Sequence, residues 1–406
     1  MLIITAPGQG AQTPGFLAPW LELPGVTDRL GTASELTGCD LIRFGTTASA
    51  DEIRDTAVAQ PLLVAAAIVA AAALSSAADP GSVPADATAG HSVGELAAGA
   101  LAGVLPQDDA LRLVGVRGRA MAQAAAAEPT GMTAVLGGDT EAVLAAIARA
   151  GLTPANVNAT GQIVAAGTLE DLAAFAAAPP PGARLRPLQV AGAFHTRYMA
   201  PAVSALRDAA AGTEVSDPGI TLLSNADGAA VTTGKEWLER IIAQVAAPVR
   251  WDLCMSTMAD LGVTGFIELP PAGTLTGLAK RALPGVAQLA LKTPDQLSAA
   301  RDLINEHLSE PDAHGHGHQP EWRIVVAPTS GTFRSPAARG DSTAAGAGAA
   351  LTTDPLTSDL GTVLARGGER PVAAPWPAEI IEWLVEDGDP VGEGQPLVRI
   401  QPREGA

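Results

Sequence analysis

The chain has 406 residues, of which 47% are hydrophobic, and it carries a formal net charge of -18 at pH 7. This length exceeds that of one ordinary domain, and the apolar content supplies core material for two or three packed units. The average negative field would repel nucleic acid and anionic membranes, so neither is expected as a partner.

Two cysteines, Cys39 and Cys254, lie far apart and have neither CxxC nor metal-ligand spacing. This usage favours reduced thiols in the cytoplasm over a disulfide scaffold. Residues 1–6 read as a buried strand and lack the charged start of a secretory signal. The longest apolar run, 62–74, follows Pro61 at a plausible first helical position. Because the run is shorter than the roughly 20 residues of a bilayer span, it predicts a core helix.

Two element orders follow one another along the first 305 residues. Segment 1–125 alternates short apolar stretches with Ala- and Leu-rich helical ones, which predicts a parallel sheet covered by helices. Segment 126–194 predicts the order β-α-β-β-α-β instead. Its predicted elements are strand 131–137, helix 140–150, strands 153–158 and 162–167, helix 169–178 and strand 184–190. This order is typical of a small ferredoxin-like unit inserted into an α/β body, which resumes near Gly192 and continues over 195–305.

A linker is predicted over 306–320, because the helical pattern fades after Leu308. Within it, His314, His316 and His318 alternate with glycine, and imidazoles so close together can capture a transition metal. Polar linker composition is the favoured interpretation, since the glycines fix no ligand geometry. No metal site is predicted.

A glycine-flanked serine stands at a predicted strand-to-helix junction. Residues 87–90 can end a strand and 93–103 can begin a helix, so Gly90-His91-Ser92-Val93-Gly94 places the Ser92 hydroxyl on a tight turn. The following helix N-terminus then points at an oxyanion, as acyl transfer requires. The pattern predicts a nucleophile, although a serine that only caps the helix is the alternative.

Two histidines, His91 and His195, lie in the predicted folded body with the potential of an activated base. His91 adjoins Ser92 and is expected to point to the opposite side of the turn. His195 follows a strand and the glycine turn at Gly192, as a base that projects into a cleft should. His195 is therefore the predicted base, and a hydrogen-bonded structural histidine is the alternative.

The first strand ends in the glycine-rich loop Pro7-Gly8-Gln9-Gly10. Open α/β sheets bind ligands at the carboxyl ends of their strands, where this loop lies. The loop lacks the P-loop lysine and the GxGxxG spacing, which argues against a nucleotide cradle. Its amides are instead predicted to donate to an oxyanion, with Gln9 as the contributor.

Five motifs, in this order and spacing, resemble those of the malonyl-CoA:acyl carrier protein transacylase family, most of all its actinobacterial members. They are Pro7-Gly8-Gln9-Gly10, Gly90-His91-Ser92-Val93-Gly94-Glu95, Arg117-Gly118 with Met121, Asn156-Val157-Asn158 followed by Gly161-Gln162, and Ala193-Phe194-His195. The resemblance covers about residues 1–300. It implies an α/β-hydrolase-like large subdomain, 1–125 with 195–305, and an inserted ferredoxin-like subdomain, 126–194.

The resemblance also implies the catalytic roles. Ser92 would be the nucleophile and His195 its base, while the backbone amides of Gln9 and Val93 would form the oxyanion hole. The family orients its histidine through a main-chain carbonyl instead of a carboxylate, and Gln244 matches that position. A catalytic aspartate is therefore not expected.

Arg117 is implied to bind the carboxylate of the malonyl group, because a planar, permanently charged guanidinium pairs with a carboxylate through two parallel hydrogen bonds. Without the motif, an exposed ion pair would be the default interpretation of Arg117. Met121 lies four residues further on the same helical face. The resemblance implies Asn158 and Phe194 in the substrate pocket as well, and Phe194 favours malonyl over methylmalonyl. Thr196 departs from the serine of many relatives.

The implied reaction is ping-pong transfer from malonyl-CoA, through an acyl-serine, to the phosphopantetheine thiol of acyl carrier protein. It would serve fatty acid or polyketide synthesis, in a cytoplasmic monomer without a cofactor. Because acyl carrier protein is acidic, docking is expected on basic side chains. The candidates are Arg184, Arg186, Lys280 and Arg281.

A β-rich unit is predicted over 321–403, where the sequence VVAP at 325–328 recurs as VAAP at 372–375 and indicates two similar halves. Segments 327–336 and 380–397 resemble the two halves of a biotin carboxyl carrier or lipoyl domain. The cofactor-bearing lysine is missing, since the only lysines of the chain are Lys235, Lys280 and Lys292. A degenerate biotinyl/lipoyl-like domain without a covalent cofactor is predicted, for stability or for docking to fatty-acid synthesis or carboxylase components.

Two alternative functions differ from acyl transfer to a carrier protein. An α/β-hydrolase-like thioesterase would share Gly-X-Ser-X-Gly, but it has no reason to bury an arginine for a substrate carboxylate. A non-catalytic scaffold in a carboxylase or fatty-acid complex is suggested only by the C-terminal unit. The intact motifs of residues 1–300 favour the enzyme.

Overall fold

The computed structural model of the chain describes residues 1–75, 84–309, 323–336, 350–351, 359–365, 367–373 and 378–402. The chain divides into two compact units, Met1–His314 and Gly315–Ala406. The segment with His314, His316 and His318 lies outside the described residues.

The first unit combines two sheets with covering helices. Its strands, among the described residues, are β1 (Leu2–Ala6), β2 (Ala87–Gly90), β3 (Thr130–Gly137), β4 (Thr153–Ala159), β5 (Gln162–Thr168), β6 (Ala183–Pro187), β7 (Thr221–Leu223), β8 (Val249–Arg250), β9 (Gly265–Glu268) and β10 (Ala287–Ala290). Its helices are α1 (Val26–Thr37), α2 (Leu41–Thr46), α3 (Thr56–Leu74), α4 (Gly94–Leu101), α5 (Gln107–Ala125), α6 (Thr140–Arg149), α7 (Leu169–Ala177), α8 (Ala200–Ala210), α9 (Gly234–Gln244), α10 (Trp251–Asp260), α11 (Thr274–Ala282) and α12 (Leu297–Ser309). Short 3-10 turns occupy Ala18–Glu22, Glu52–Arg54, Arg197–Met199 and Pro294–Gln296.

The larger body is built on a parallel sheet with the strand order β10-β9-β1-β2-β7. Every residue of β1, β2 and β9 is buried, as expected for strands covered by helices on both faces. Ala6 pairs with Gly90, so the carboxyl ends of β1 and β2 meet at one edge of the sheet. The loops that leave these two strands are thereby brought together.

Helix α3 is the buried core helix that the apolar run predicts, but it begins earlier than expected. The Asp55 carboxylate accepts a hydrogen bond from the Ala57 amide and caps the helix, so that Pro61 lies inside it. The prediction of Pro61 at the first helical position was therefore wrong. With 19 residues, α3 is also long and apolar enough to cross a membrane by length and composition, although most of it is buried inside the fold.

The second sheet of the first unit has the strand order β6-β3-β5-β4-β8. Strands β3 to β6, with α6 and α7 between them, follow the predicted order β-α-β-β-α-β. Strands β3, β4, β5 and β6 pair antiparallel, whereas β8 comes from the larger body and pairs parallel with β4. This last pairing links the smaller sheet to the chain segment that follows α9. Strand β6 ends at Pro187, three residues before its predicted end at 190.

The second unit is β-rich in its described residues. Its strands are β11 (Arg323–Val326), β12 (Gly331–Arg334), β13 (Ala350–Leu351), β14 (Asp359–Ala365), β15 (Gly368–Ala373), β16 (Ala378–Trp383), β17 (Pro390–Val391) and β18 (Pro396–Pro402). They form two four-stranded antiparallel sheets, in the orders β11-β18-β16-β13 and β15-β14-β12-β17. Phe333, Leu360 and Val363 belong to the apolar core of this unit.

Candidate active site

Ser92 lies on the tight connection between β2 and α4, as the sequence predicts. Its φ angle is 54°, in the left-handed region that residues other than glycine rarely adopt. A Cβ added at Gly90 would overlap the backbone of Gly94, and one added at Gly94 would overlap the carbonyl oxygen of Ala6. The two glycines therefore let β1, the turn and α4 approach closely, and the turn presents the Ser92 side chain at the sheet edge.

His195 is the residue that contacts the Ser92 hydroxyl. The Ser92 Oγ and His195 Nε2 atoms are 2.7 Å apart, and Nδ1 donates to the main-chain carbonyl of Gln244 over 2.8 Å. With Nδ1 as the donor, the lone pair on Nε2 can accept the hydroxyl proton. Burial, together with the positive charge of Arg117, lowers the pKa of His195 to about 3. The imidazole is therefore neutral at physiological pH and able to act as a base.

Arg117 on α5 is a buried cation beside the nucleophile. It is 1% exposed, and its NH2 group lies 3.3 Å from Ser92 Oγ. NH1 donates to Gln60 Oε1 over 2.7 Å, and NH2 donates to Gln244 Oε1 over 3.2 Å. Burial lowers the pKa of Arg117 to about 10, while the charge of Glu95 opposes the shift, so the guanidinium stays protonated at neutral pH.

The guanidinium of Arg117 has neutral neighbours only. Within the described part of the chain, no carboxylate lies within ion-pair distance of it. A buried charge without a counter-ion is costly, and a ligand carboxylate would offset that cost. The site is thus suited to an acyl group that carries its own carboxylate.

Two backbone amides are free to stabilise an oxyanion. Gln9 and Val93 both line the cavity at Ser92, and among the described residues neither main-chain N–H donates a hydrogen bond. The Gln9 side chain turns away and donates to Thr56 Oγ1 over 3.2 Å, which holds the loop after β1 in place. Val93 stands at the N-cap of α4, where the helix dipole favours negative charge.

The cavity at Ser92 has a volume of about 200 Å³, and the remaining residues predicted for the substrate pocket line it. Met121 and Phe194 are buried in its wall, and Gln60 Nε2 donates to Met121 Sδ. His91 also lines the cavity, and its Nε2 lies 2.8 Å from Asn158 Oδ1. His91 therefore orients Asn158 and leaves the Ser92 hydroxyl to His195.

A larger cavity of about 700 Å³ lies against β3, β6 and α7. It shares Met132, Leu188 and Val190 with the cavity at Ser92, but apart from Arg184 its lining carries no ionisable side chain. The chemistry therefore belongs to the smaller cavity.

Sequence patterns missed three residues that hold the site together. Gln60 supports Arg117, while Asn225 accepts the main-chain N–H of Ser92 at its Oδ1 over 2.7 Å. Glu95, part of the serine motif without an assigned role, accepts from the Asn225 amide and from Gln244 Nε2. A single polar residue inside an apolar helix was the available signal for Gln60, and the sequence held none for Asn225.

Comparisons with known proteins agree on one family. The profile described as "Acyl transferase domain" matches residues 7–294. A "Malonyl CoA-acyl carrier protein transacylase" of Mycobacterium tuberculosis is 51% identical over 303 residues, which cover 75% of this chain and 100% of the relative. The matched family region ends before the second unit begins.

Solved structures resemble the same part of the chain. The crystal structure of a Mycobacterium tuberculosis MCAT has a TM-score of 0.70 and 50% sequence identity, and covers 75% of this chain and 99% of its own. A malonyl-transacylase solved in complex with its type II PKS acyl-carrier protein has a TM-score of 0.68 and 30% identity, and covers 74% of this chain and 99% of its own.

Proposed function

This chain belongs to the acyl transferase family, and from that premise we propose that Ser92 carries a malonyl group from malonyl-CoA to the phosphopantetheine thiol of acyl carrier protein. The chain is an acyltransferase of fatty acid synthesis that uses these two substrates. The observation that carries the proposal is the buried Arg117 guanidinium, 3.3 Å from Ser92 Oγ and without a carboxylate partner among the described residues. Its position lets it pair with the free carboxylate of a malonyl group on the serine.

In the first half of the reaction, Ser92 Oγ attacks the thioester carbonyl of malonyl-CoA while His195 Nε2 takes the hydroxyl proton. The main-chain amides of Gln9 and Val93 donate to the resulting oxyanion. When the tetrahedral intermediate collapses, the carbon–sulfur bond breaks and the CoA thiolate leaves with the proton from His195. The carbonyl of Gln244 keeps Nδ1 protonated, so the imidazolium is oriented throughout.

In the second half, the phosphopantetheine thiol of acyl carrier protein gives its proton to His195 and attacks the malonyl-Ser92 ester. Collapse of the second tetrahedral intermediate returns the proton to Ser92 and releases malonyl-acyl carrier protein. Water must be the slower acceptor. The largely apolar lining of the cavity, with Met121 and Phe194 buried, disfavours a water positioned for attack.

Intact-protein mass spectrometry after incubation with malonyl-CoA tests the intermediate. We expect a malonyl adduct on the wild-type chain and none on Ser92→Ala. An adduct of equal yield on Ser92→Ala would refute Ser92 as the nucleophile. The competing thioesterase function is tested by comparing hydrolysis with transfer to pantetheine, since a thioesterase would hydrolyse malonyl-CoA whether or not the thiol is present.

We propose that the carrier protein docks on basic side chains beside the cleft. The candidates Arg184, Arg186, Lys280 and Arg281 are all exposed. Arg184 lines the larger apolar cavity, and Arg281 donates to Gln162 Oε1, a residue of the cavity at Ser92. An acidic partner would be attracted here despite the overall negative charge of the chain.

Charge reversal tests this docking surface. In the double variant Arg184→Glu/Arg186→Glu, we expect KM for acyl carrier protein to rise, with KM for malonyl-CoA and transfer to free pantetheine unchanged. Arg149→Glu, an exposed change on α6, is the matched control. Equal effects of the double variant and the control would contradict docking through β6.

The architecture supports finer proposals. We propose that the larger body is an α/β-hydrolase-like subdomain, 1–125 with 195–305, and that 126–194 is an inserted ferredoxin-like subdomain. The strand order β6-β3-β5-β4 supports the second assignment. We propose that residues 321–403 form a degenerate biotinyl/lipoyl-like domain that contacts components of fatty-acid synthesis or a carboxylase. Its two antiparallel sheets and the β14–β15 hairpin support the comparison. The linker predicted over 306–320 begins later than expected, because α12 continues to Ser309. We also propose that the chain acts as a monomer in the cytoplasm.

A further inference from the structure

Glu95 is a buried carboxylate for which the mechanism above has no role. It lies in the first turn of α4 and is 2% exposed. Oε1 accepts from the main-chain N–H of Asn225 over 2.9 Å, and Oε2 accepts from Gln244 Nε2. A carboxylate removed from water is costly even when its oxygens are bonded. A buried carboxylate this close to the nucleophile turn therefore requires a functional explanation.

Two of the donors to Glu95, Asn225 and Gln244, connect it to all three reacting groups. Asn225 accepts the Ser92 main-chain N–H at Oδ1, which fixes the nucleophile turn. Gln244 accepts from His195 at its main-chain carbonyl and from Arg117 at its side-chain Oε1. Through Asn225 and Gln244, Glu95 is thus linked to the serine, the histidine and the arginine.

The orientation of the Gln244 amide depends on Glu95. An amide has one acceptor end and one donor end, and Arg117 can only donate. The Gln244 oxygen faces Arg117 because its NH2 group has an acceptor in Glu95 on the other side. Both Glu95 oxygens face donors, so the carboxylate fits this environment once it is ionised, above the pKa of about 8 to which burial raises it. The protonated form would turn an O–H toward a donor.

The same arrangement separates two opposite charges by one amide group. A direct ion pair between Glu95 and Arg117 would occupy the guanidinium and compete with a substrate carboxylate. With Gln244 between them, the charge of Glu95 still favours the protonated form of Arg117, and the guanidinium keeps no carboxylate partner among the described residues. Arg117 is thus favoured in its protonated form and remains available to pair with a substrate carboxylate.

We propose that Glu95 is a positioning residue that determines acyl-group preference: through the Gln244 amide it holds Arg117 charged, aimed at Ser92 and free to bind the carboxylate of the acyl group. This inference rests on the proposed function. It concerns a residue that touches neither substrate nor nucleophile.

The variant Glu95→Gln tests the inference with nearly unchanged side-chain shape. Its single oxygen can accept from Asn225 or from Gln244, so one donor must face another donor unless the Gln244 amide rotates. Rotation would turn its NH2 group toward Arg117. We expect the ratio of kcat/KM for malonyl-CoA to that for acetyl-CoA to fall at least about tenfold. Assays at about pH 8.5 lie above the pKa of Glu95, which burial raises to about 8, and below that of Arg117.

A double variant separates specificity from simple structural support. In Glu95→Gln/Gln244→Glu, the glutamine at 95 donates to the carboxylate at 244, and that carboxylate accepts from Arg117. The exchange restores the contacts of residue 95 with Asn225 and with residue 244, and it loses only the longer donation of Gln244 Nε2 to Asn225 Oδ1 over 3.4 Å. Arg117 is now neutralised by direct contact. We expect Tm to rise above that of Glu95→Gln while the malonyl-to-acetyl ratio stays low. Glu141→Gln, in the exposed first turn of α6, is the control.

The outcomes are separable. A malonyl-to-acetyl ratio that stays at the wild-type value in Glu95→Gln, or returns to it in the double variant, overturns the role of Glu95. A double variant with a Tm no higher than that of Glu95→Gln also overturns it, because the exchange restores the contacts of residue 95 with Asn225 and with residue 244. If the wild-type chain forms no malonyl-serine or shows no preference for malonyl-CoA, the proposed function itself fails.

Discussion

Replacing Arg117 with glutamine should remove the preference for a carboxylated acyl group and leave the acyl-transfer chemistry in place. The guanidinium is buried, charged, and 3.3 Å from Ser92 Oγ, so an acyl carboxylate would meet it in a poorly solvated site. Two unit charges about 4 Å apart interact by about 4 kcal/mol at an effective dielectric constant of about 20. Desolvation of the carboxylate offsets part of this, which leaves roughly 3 kcal/mol, or about a 100-fold loss in kcat/KM.

The assay compares kcat/KM for malonyl-CoA and acetyl-CoA with pantetheine as the acceptor. Acetyl-CoA carries no carboxylate, so its transfer should change far less than that of malonyl-CoA. Arg112→Gln on the same helix is the matched control, because Arg112 is exposed and pairs with Asp109 on the surface. Equal losses for the two substrates in Arg117→Gln would refute the reasoning and assign Arg117 a purely structural role.

Three further predictions address the base, the nucleophile turn and the second unit. Burial and the charge of Arg117 lower the pKa of His195 to about 3, so the base stays neutral on acidification. A rate–pH profile should therefore show a flat kcat/KM for acetyl-CoA between about pH 7 and 5.5, and a midpoint near 6.5 would contradict this. Gly94→Ala should lower stability by at least about 2 kcal/mol in denaturant unfolding, since its Cβ would overlap a backbone oxygen of β1, whereas Gly31→Ala, with open space, should be neutral or slightly stabilising. Deleting 315–406 should leave the rate of Ser92 acylation unchanged, because every site residue lies in the first unit. Rapid-quench mass spectrometry measures the rate, and Tm checks the folding. A large loss of rate at unchanged Tm would mean that the second unit does more than dock.

Local patterns were sufficient for much of the fold. The β-α-β-β-α-β order of the smaller sheet was predicted because its strands and helices have clear periodicity, and its element bounds differ from the predicted ones by at most three residues. The start of α3 was missed because a capping carboxylate at Asp55 overrode the usual preference for proline in the first turn. The pairing of β8 with β4 was not predicted, since it joins segments far apart in the chain.

By itself, the sequence predicted the candidate residues of the site, because acyl transfer through a serine restricts the residue types expected at positions such as Ser92, His195 and Arg117. Only the tertiary structure decided how these side chains are held. Glu95 and Gln244 are 149 residues apart, and their contact depends on how α4 and the end of α9 pack. The hydrogen-bond partner of a buried polar side chain depends on which residues the fold brings next to it. No local sequence pattern could therefore reveal that Glu95, through the Gln244 amide, is linked to Arg117.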